Sequence, residues 1–258
     1  MTSALMLLLA TATTPADISG RWVEYQPRDD HKTTFRGYLV GDMDGGPKPG
    51  VVIVHQWEGL TDYEMGRAKE IAELGYTVLC ADVYGVGNNP KTPEERRELV
   101  GKYRNGDRAN FRRNLSAAYS EIRRWPMVDK TKIAAIGYCF GGTGALEMAR
   151  AGLDLKGAIS FHGGLSNPNP DDVKNIKCPV LVLHGADDPA VPPAEVEAFK
   201  KEMDDAKKPY TFIAYPGAVH AFTQPKAGND NSKGSAYNAA ADMKSFSEMV
   251  KFFKEIFR

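Results

Sequence analysis

The segment that decides the fold is Ile133–Gly142, which reads I-A-A-I-G-Y-C-F-G-G. Its first four residues form a short apolar run without a polar face, which is typical of a strand buried on both faces of a sheet. Ala145, Leu146 and Ala149 then follow at helical spacing. Cys139 therefore stands between a predicted strand and a predicted helix, inside the pattern G-x-C-x-G that is typical of a nucleophile elbow.

The glycines around Cys139 have a mechanical explanation. A turn this sharp strains the backbone of its central residue, and flanking side chains would collide with the adjoining strand and helix. A cysteine at the start of a helix meets the positive end of the helix dipole, which favours thiolate, and free N–H groups that can receive an oxyanion. The alternative is that Cys139 is a small buried residue filling a tight junction, and the motif alone leaves both interpretations open.

Further along the chain, other apolar runs have the same character and are bounded by Gly, Pro or charged residues: Val51–Val54, Tyr76–Cys80, Ala158–Ser160, Val180–Leu183 and Phe212–Ala214. Helical segments separate them, and Thr61-x-x-Glu64 and Thr92-x-x-Glu95 are capping boxes that predict two helix starts. Ahead of these runs, Trp22–Tyr25 and Phe35–Val40 alternate around a polar turn, which predicts an antiparallel edge hairpin. The order predicts a doubly wound, mostly parallel α/β sheet with that hairpin at its N-terminal edge.

Apolar residues that recur at spacings of three and four predict amphipathic helices packed on the sheet. We interpret these stripes as hydrophobic core with no role in ligand binding: Phe111, Leu115, Ala118, Ile122 and Trp125; Val196, Phe199 and Met203; and Met243, Phe246, Val250, Phe253 and Phe257.

Composition narrows the class of protein. The chain has 258 residues with 33 Lys+Arg against 33 Asp+Glu. Its formal net charge is therefore zero, and the chain has no excess positive charge to attract nucleic acid or acidic membranes. Three cysteines are too few for a disulfide framework, and no C-x-x-C pair suggests zinc. Cys80 and Cys178 lie in or beside apolar strands and are predicted to be inert core thiols.

The N-terminal residues 1–14 differ in character from the rest. A short apolar run, Ala4–Ala10, ends in an A-x-A pattern, which resembles a secretory signal, although no basic residue precedes it. The expectation is export to the periplasm or the medium, with a disordered or docked N-terminus in a cytoplasmic protein as the alternative. Residues 15–258 are expected to form one domain, and no segment is long enough to span a bilayer.

Two more polar groups follow predicted strands, where doubly wound sheets bind their ligands. Val180–Leu183 leads into His184-Gly185-Ala186-Asp187-Asp188, and the last apolar run leads into Gly217-Ala218-Val219-His220. The order nucleophile, acid, histidine is that of α/β-hydrolases.

These residues resemble the dienelactone hydrolase family over the chain from about residue 20. The resemblance is carried by V-V-I-V-H-Q-W-E-G-L at 51–60, A-D-V-Y-G at 81–85, the elbow, F-H-G-G at 161–164 and the segments around Asp188 and His220. It implies an α/β-hydrolase fold with Cys139 as nucleophile, His220 as general base and acid, and Asp188, rather than Asp187, as the orienting carboxylate. It also implies an oxyanion hole made by the backbone N–H groups of Trp57 and Phe140, with no cofactor and no metal.

The sequence departs from this family in two places. Gln56 stands where the family has a glutamate that helps to ionise the thiol, so activation falls mainly on His220, with Glu58 as a candidate substitute. We therefore expect a Cys139 thiolate paired with a His220 imidazolium. Val86 and Gln224 stand where two arginines would grip the carboxylate of a dienelactone, which favours a substrate that is neutral or differently charged.

The other candidate residues are expected to line the pocket or to have structural roles. Tyr84, His162 and Phe222 are expected near the substrate pocket, and Arg67, Arg104 and Arg108 are interpreted as solvated helix faces. His55, His162 and His184 lack a metal-ligand spacing and are interpreted as structural. The polar loop at residues 228–235 follows His220 closely and either covers the site or is mobile.

The leading hypothesis is a hydrolase of a small-molecule ester, lactone or thioester that works through an acyl-thioester on Cys139. Acyl transfer or peptide cleavage by the same triad is one alternative, and a hydrolase-like binding module without catalysis is another. The substrate's identity and the oligomeric state stay open.

Overall fold

A computed structural model describes residues Asp17–Arg258. The segment expected to be a signal, residues 1–14, lies outside the described residues, so export stays a prediction. Among the residues described, none of the helices combines the length and the hydropathy needed to cross a membrane.

The centre of the fold is one eight-stranded sheet in the order β1-β2-β4-β3-β5-β6-β7-β8. Strands β3 to β8 run parallel, whereas β1 and β2 form an antiparallel hairpin that pairs with β4, as the sequence predicted. The strands are β1 Ile18–Tyr25, β2 Phe35–Asp42, β3 Lys48–Val54, β4 Thr77–Ala81, β5 Val128–Tyr138, β6 Gly157–Phe161, β7 Val180–Gly185 and β8 Tyr210–Tyr215.

Within residues 17–258, six α-helices cover the two faces of the sheet: α1 Asp62–Glu73, α2 Pro93–Arg104, α3 Ala109–Ile122, α4 Phe140–Arg150, α5 Pro193–Asp205 and α6 Ala239–Ile256. Buried residues of α2 to α5 pack with one face of the sheet, and those of α1 and α6 pack with the other. The alternation is visible along β3, where Val52 and Val54 belong to the first core and Val51 and Ile53 to the second. Strands buried on both faces explain the unbroken apolar runs, and the predicted doubly wound fold is confirmed.

The predicted helix starts are also found. Thr61 and Thr92 cap α1 and α2, each with a complete capping box to Glu64 or Glu95. Gly75 ends the first helical segment with a φ of +96°, a backbone conformation that favours glycine.

The stripe predicted for the last helix is wrong at its N-terminal end. Met243 is 71% exposed, whereas Ala241, Ser245 and Met249 are buried. The small side chains of Ala241 and Ser245 face the core, and a pattern read from large apolar residues alone places the stripe about one residue away. Trp125 likewise lies beyond the end of α3, in the turn that leads to β5.

Candidate active site

The elbow places Cys139 between β5 and α4 with φ 54° and ψ −116°. The neighbouring glycines leave no room for a side chain. A Cβ on Gly137 would lie 1.9 Å from the carbonyl oxygen of Gly141, and a Cβ on Gly141 would lie 2.0 Å from that of Val54. The strained turn is therefore possible only because both flanking residues are glycine.

The side chain of Cys139 meets two residues that are distant along the chain. His220 Nε2 lies 3.0 Å from Cys139 Sγ, and His220 Nδ1 lies 2.8 Å from Asp188 Oδ2. Asp188 is buried, and its Oδ1 accepts the backbone N–H of Ala190 at 2.8 Å. The adjacent Asp187 instead accepts the N–H of Gly217 at 3.0 Å. Thiol, imidazole and carboxylate thus form one hydrogen-bonded chain that uses Asp188 and not Asp187.

The electrostatics of His220 follow from this chain. Burial alone would lower its pKa, but the charge of a Cys139 thiolate and the hydrogen bond to Asp188 outweigh burial and raise the pKa of His220 to about 10. The arrangement therefore favours the imidazolium form of His220 near neutral pH.

Trp57 and Phe140, whose backbone N–H groups are expected to form an oxyanion hole, both border clefts that reach Cys139. Phe140 is the first residue of α4, so its N–H has no partner within the helix. Trp57 follows β3, and the Tyr84 hydroxyl donates to its carbonyl oxygen at 3.2 Å. Glu64 fixes the same loop from the other side, because its carboxylate accepts the N–H groups of both Gln56 (3.2 Å) and Thr61 (2.9 Å). The capping box of α1 therefore also holds the loop that carries Trp57.

A cleft of about 560 Å³ opens over the sulfur and the imidazole. Its lining includes Gln56, Trp57, Glu58 and Gln224, which the sequence singled out. It also includes residues that the sequence did not indicate as part of the site: Thr61, Tyr63, Arg96, Ala221, Lys226 and Ala227. Lys226 had a signal, since it lies two residues beyond Gln224 in the same loop. Arg96 had none, because only the fold brings α2 to this edge.

The loop at residues 228–235 forms part of the site's wall. Ser235 borders the cleft and bridges to His220. The backbone of His220 donates to Gly234 at 3.3 Å and accepts from Ala236 at 3.0 Å. The loop thus holds the histidine from behind.

Glu58 does not bond to the thiol. Its carboxylate lies 3.6 Å from the guanidinium of Arg96, which also stacks over the Trp57 ring at 5.5 Å. The substitute role considered for Glu58 therefore has no direct contact to support it.

Three residues expected near the substrate pocket lie behind its wall. Tyr84 is 1% exposed and packs on Phe140, while Phe222 is fully buried against His162. His162 is also fully buried, and its Nδ1 accepts the backbone N–H of Cys139 at 3.1 Å. Each of these positions comes after the end of a strand, but the side chain is buried in the core and does not line the cleft.

Two of the three arginines differ from the solvated helix faces that we expected, whereas Arg104 is exposed as expected. Arg67 pairs with Glu70 and Asp242, and Arg108 is 4% exposed and pairs with Glu147 at 2.7 Å. Arg104 is exposed, yet it borders a second cleft that reaches Cys139. Val86 is 56% exposed and does not line the main cleft.

The other histidines and cysteines have structural environments. His55 Nδ1 lies 2.6 Å from the carbonyl oxygen of Gln56, and its Nε2 accepts the N–H of Val83 at 3.3 Å. Across residues 17–258, no group of three or more His, Cys, Asp or Glu side chains is arranged to hold a metal ion. Cys80 and Cys178 are buried, and burial raises the pKa of the Cys178 thiol to about 12, as expected for an inert core thiol.

Comparisons with known proteins agree with the fold and identify the family. A model of the dienelactone hydrolase family matches residues 35–257. A protein of Methylorubrum extorquens named a putative carboxymethylenebutenolidase is 27% identical over 194 residues, which are 72% of this chain and 67% of that protein. A crystal structure described as the dienelactone hydrolase-like promiscuous phosphotriesterase P91, from metagenomic libraries, is 37% identical with a TM-score of 0.86, and the match covers 93% of this chain and 98% of that one. An acylaminoacyl peptidase of Pyrococcus horikoshii is 18% identical with a TM-score of 0.67 over 41% of its chain and shares the fold alone.

Proposed function

Because the chain belongs to the dienelactone hydrolase family, we propose that it cleaves a carboxylic ester, lactone or thioester through Cys139, His220 and Asp188. The chain is a hydrolase of dienelactone hydrolase type, which removes the alternative of a module without catalysis. The observation that carries the finer proposal is the hydrogen-bonded chain from sulfur to imidazole to carboxylate, at 3.0 and 2.8 Å.

The first half of the proposed reaction forms an acyl-enzyme. The thiolate of Cys139 attacks the carbonyl carbon, and the negative charge moves to the carbonyl oxygen between the amides of Trp57 and Phe140. Each such donor contributes about 3 kcal/mol to stabilising the transition state. The bond to the leaving oxygen then breaks as the His220 imidazolium gives that oxygen its proton, which leaves a thioester on Cys139 and a neutral imidazole.

The second half returns the enzyme to its starting state. Neutral His220 takes a proton from water while the water oxygen attacks the thioester carbonyl. The carbon–sulfur bond breaks, the acid departs and the thiolate is restored beside the imidazolium. Asp188 holds the Nδ1–H of the ring throughout, which keeps Nε2 directed at the sulfur.

The proposal is tested with p-nitrophenyl acetate and three variants. Cys139→Ala should lower kcat/KM about 10³-fold or more, and Asp188→Asn should lower kcat strongly because the ring loses its orienting acceptor. Cys178→Ala, at a buried thiol remote from the site, is the matched control and should keep activity. Mass spectrometry of acid-quenched enzyme should find an acetyl group on Cys139, and a Cys139→Ala variant as active as wild type would contradict the proposal.

Acyl transfer and peptide cleavage by the same triad are separated from hydrolysis by product analysis. If added alcohols or amines capture the acetyl group in preference to water, the chain is a transferase. If an amide substrate is cleaved as well as its ester, it is a peptidase.

A phosphotriester is a second candidate substrate, because the relative at 37% identity is described as a promiscuous phosphotriesterase. In that reaction the thiolate would attack phosphorus and expel an aryl oxide, and water would then cleave the phosphorus–sulfur bond. Paraoxon turnover that disappears in Cys139→Ala would support it, and paraoxon stability in the presence of wild-type enzyme would remove it.

A further inference from the structure

Cys139 lies between two clefts. The larger one, described above, contains His220. The smaller one has a volume of about 310 Å³ and lies on the α2 side, where its lining includes Val100, Gly101, Arg104 and Asn105 together with Phe140. Only Cys139 and Trp57 border both clefts.

The geometry of the proposed reaction divides a substrate between these clefts. The tetrahedral carbon formed on Cys139 Sγ carries an oxyanion, a leaving oxygen and an acyl chain. The leaving oxygen must face His220, which borders the larger cleft alone, and the oxyanion must face the amides of Trp57 and Phe140. Phe140 borders the smaller cleft, so the oxyanion lies at its mouth, and the acyl chain, directed away from His220, has the rest of this cleft to occupy.

The smaller cleft carries a free positive charge. Arg104 makes no ion pair within 4.0 Å in the described part of the chain, whereas Arg97, which also borders this cleft, already pairs with Glu94 at 3.2 Å. Glu195 lies near this side, because its Oε1 and Arg104 Nη1 are 3.6 and 3.5 Å from the same point, the position of a Cβ added to Gly164. Its Oε1 already accepts the N–H groups of Leu165 and Ser166, at 2.5 and 3.0 Å.

The backbone that carries Arg104 is held firmly. Arg104 is the last residue of α2, and its carbonyl oxygen accepts Arg108 Nε at 2.8 Å. Arg108 is buried and in turn bonds to Glu147 at 2.7 Å. An arginine whose backbone is held in place and whose guanidinium has no ion-pair partner is suited to an anionic ligand. Little conformational entropy of the backbone is lost when the ligand binds.

We propose that the smaller cleft is the acyl subsite and that Arg104 selects acyl groups ending in a carboxylate, such as half-esters of short dicarboxylic acids. The inference rests on the proposed function for the direction of the acyl chain. Arg104 is thus a partner for a substrate carboxylate, and it lies on the side of Cys139 opposite Gln224.

The test compares two p-nitrophenyl esters of equal length, the glutarate half-ester and the uncharged pentanoate. Wild type should favour the half-ester by about tenfold in kcat/KM, which corresponds to about 1.4 kcal/mol, and added salt should reduce the preference. Arg104→Gln should abolish the preference, because kcat/KM for the half-ester falls about tenfold relative to kcat/KM for pentanoate. Lys226→Gln, in the larger cleft, is the matched control and should keep the preference.

Each outcome decides one point. Loss of the preference in Lys226→Gln but not in Arg104→Gln would overturn the inference, because the carboxylate would then lie on the His220 side. Equal rates for the two esters in wild type would also overturn it. The binding of monomethyl glutarate to Cys139→Ala, with and without Arg104→Gln, is measured by calorimetry. This measurement tests the acyl subsite separately from the proposed function. Binding that depends on Arg104 supports the subsite even if no ester is turned over.

Discussion

The backbone N–H of Cys139 donates to two acceptors, His162 Nδ1 at 3.1 Å and the carbonyl oxygen of Phe161 at 3.0 Å. A peptide N–H can only donate, so Nδ1 is unprotonated and Nε2 carries the hydrogen that it donates to Thr223 Oγ1 at 2.8 Å. Burial, followed by the charge of His220, holds the pKa of His162 well below its ordinary value. His162 is therefore a neutral residue that positions the elbow, and it does not exchange protons with the substrate.

Replacement of His162 tests this role. Asparagine offers an acceptor close to the place of Nδ1 and tolerates the φ of 41° found here, so His162→Asn should keep most of the activity. Phenylalanine offers no acceptor, and His162→Phe should lower kcat about tenfold with little change in KM, because a misplaced nucleophile affects the chemical step. Both are measured by steady-state kinetics, with thermal unfolding as the check on folding. A His162→Phe enzyme with wild-type kcat would refute the positioning role.

The ion pair that we expect between Cys139 and His220 predicts how alkylation depends on pH. Because the pKa of His220 is raised to about 10, the imidazolium should persist across the neutral range. The rate of iodoacetamide labelling at Cys139, followed by mass spectrometry, should then be nearly constant from about pH 6 to 9. In His220→Asn the rate should follow an ordinary thiol with a midpoint of about 8.5. An ordinary thiol titration in wild type would exclude the pair.

The same shift predicts a dependence of stability on pH. A group whose pKa is raised by folding stabilises the folded state fully below its unfolded pKa of about 6.5. That contribution is lost as the pH rises through about 10. Urea denaturation of wild type and of His220→Asn should therefore differ most near pH 6 and converge at alkaline pH. A constant difference between the two proteins from pH 6 to 10 would contradict this assignment.

Glu147 joins three arginines in the core between α3 and α4. It is fully buried and bonds to Arg108 at 2.7 Å, Arg112 at 2.7 Å and Arg150 at 3.1 Å. Burial alone would raise its pKa, but these cations outweigh burial and lower it. Glu147→Gln should destabilise the fold by about 3–5 kcal/mol, because it leaves buried cations without their partner.

Glu197→Gln is the matched control for Glu147, because Glu197 forms an exposed pair with Lys200 at 3.0 Å. Urea denaturation should find less than about 1 kcal/mol of destabilisation for the control. Similar losses in the two variants would mean that the buried network contributes no more than a surface pair.

Two Gly→Ala substitutions, one in the elbow and one in α1, should have opposite effects on the stability of the fold. A Cβ at Gly137 would collide with the backbone of Gly141, so Gly137→Ala should destabilise by about 3 kcal/mol or more. Gly66, in α1, has no atom within 4 Å of the added Cβ, so Gly66→Ala should stabilise by about 0.5–1 kcal/mol. Thermal unfolding of both variants checks the pair, and a Gly137→Ala protein as stable as wild type would contradict the steric account of the elbow.

The sequence predicted most of the fold because its signals are local. The strands, the capping boxes at Thr61 and Thr92 and the glycine-bounded turn at Cys139 each depend on residues within a few positions. The order of Cys139, Asp188 and His220 at three strand ends then suggested one site, since the carboxyl ends of parallel strands meet at one edge. Local patterns failed at Met243, because the face that a helix buries depends on the sheet against which it packs.

Sequence alone determined the doubly wound sheet, the elbow and the family to which the chain belongs, because periodicity and turn chemistry are encoded in neighbouring residues. Only the tertiary structure decided the surroundings of Arg104 and Arg108, which look alike along the chain. One meets Glu147 of α4 in the core, and the other borders the small cleft beside Cys139. The physical reason is that the state of a charged side chain depends on partners brought close in space by the fold, and the sequence does not record those distances.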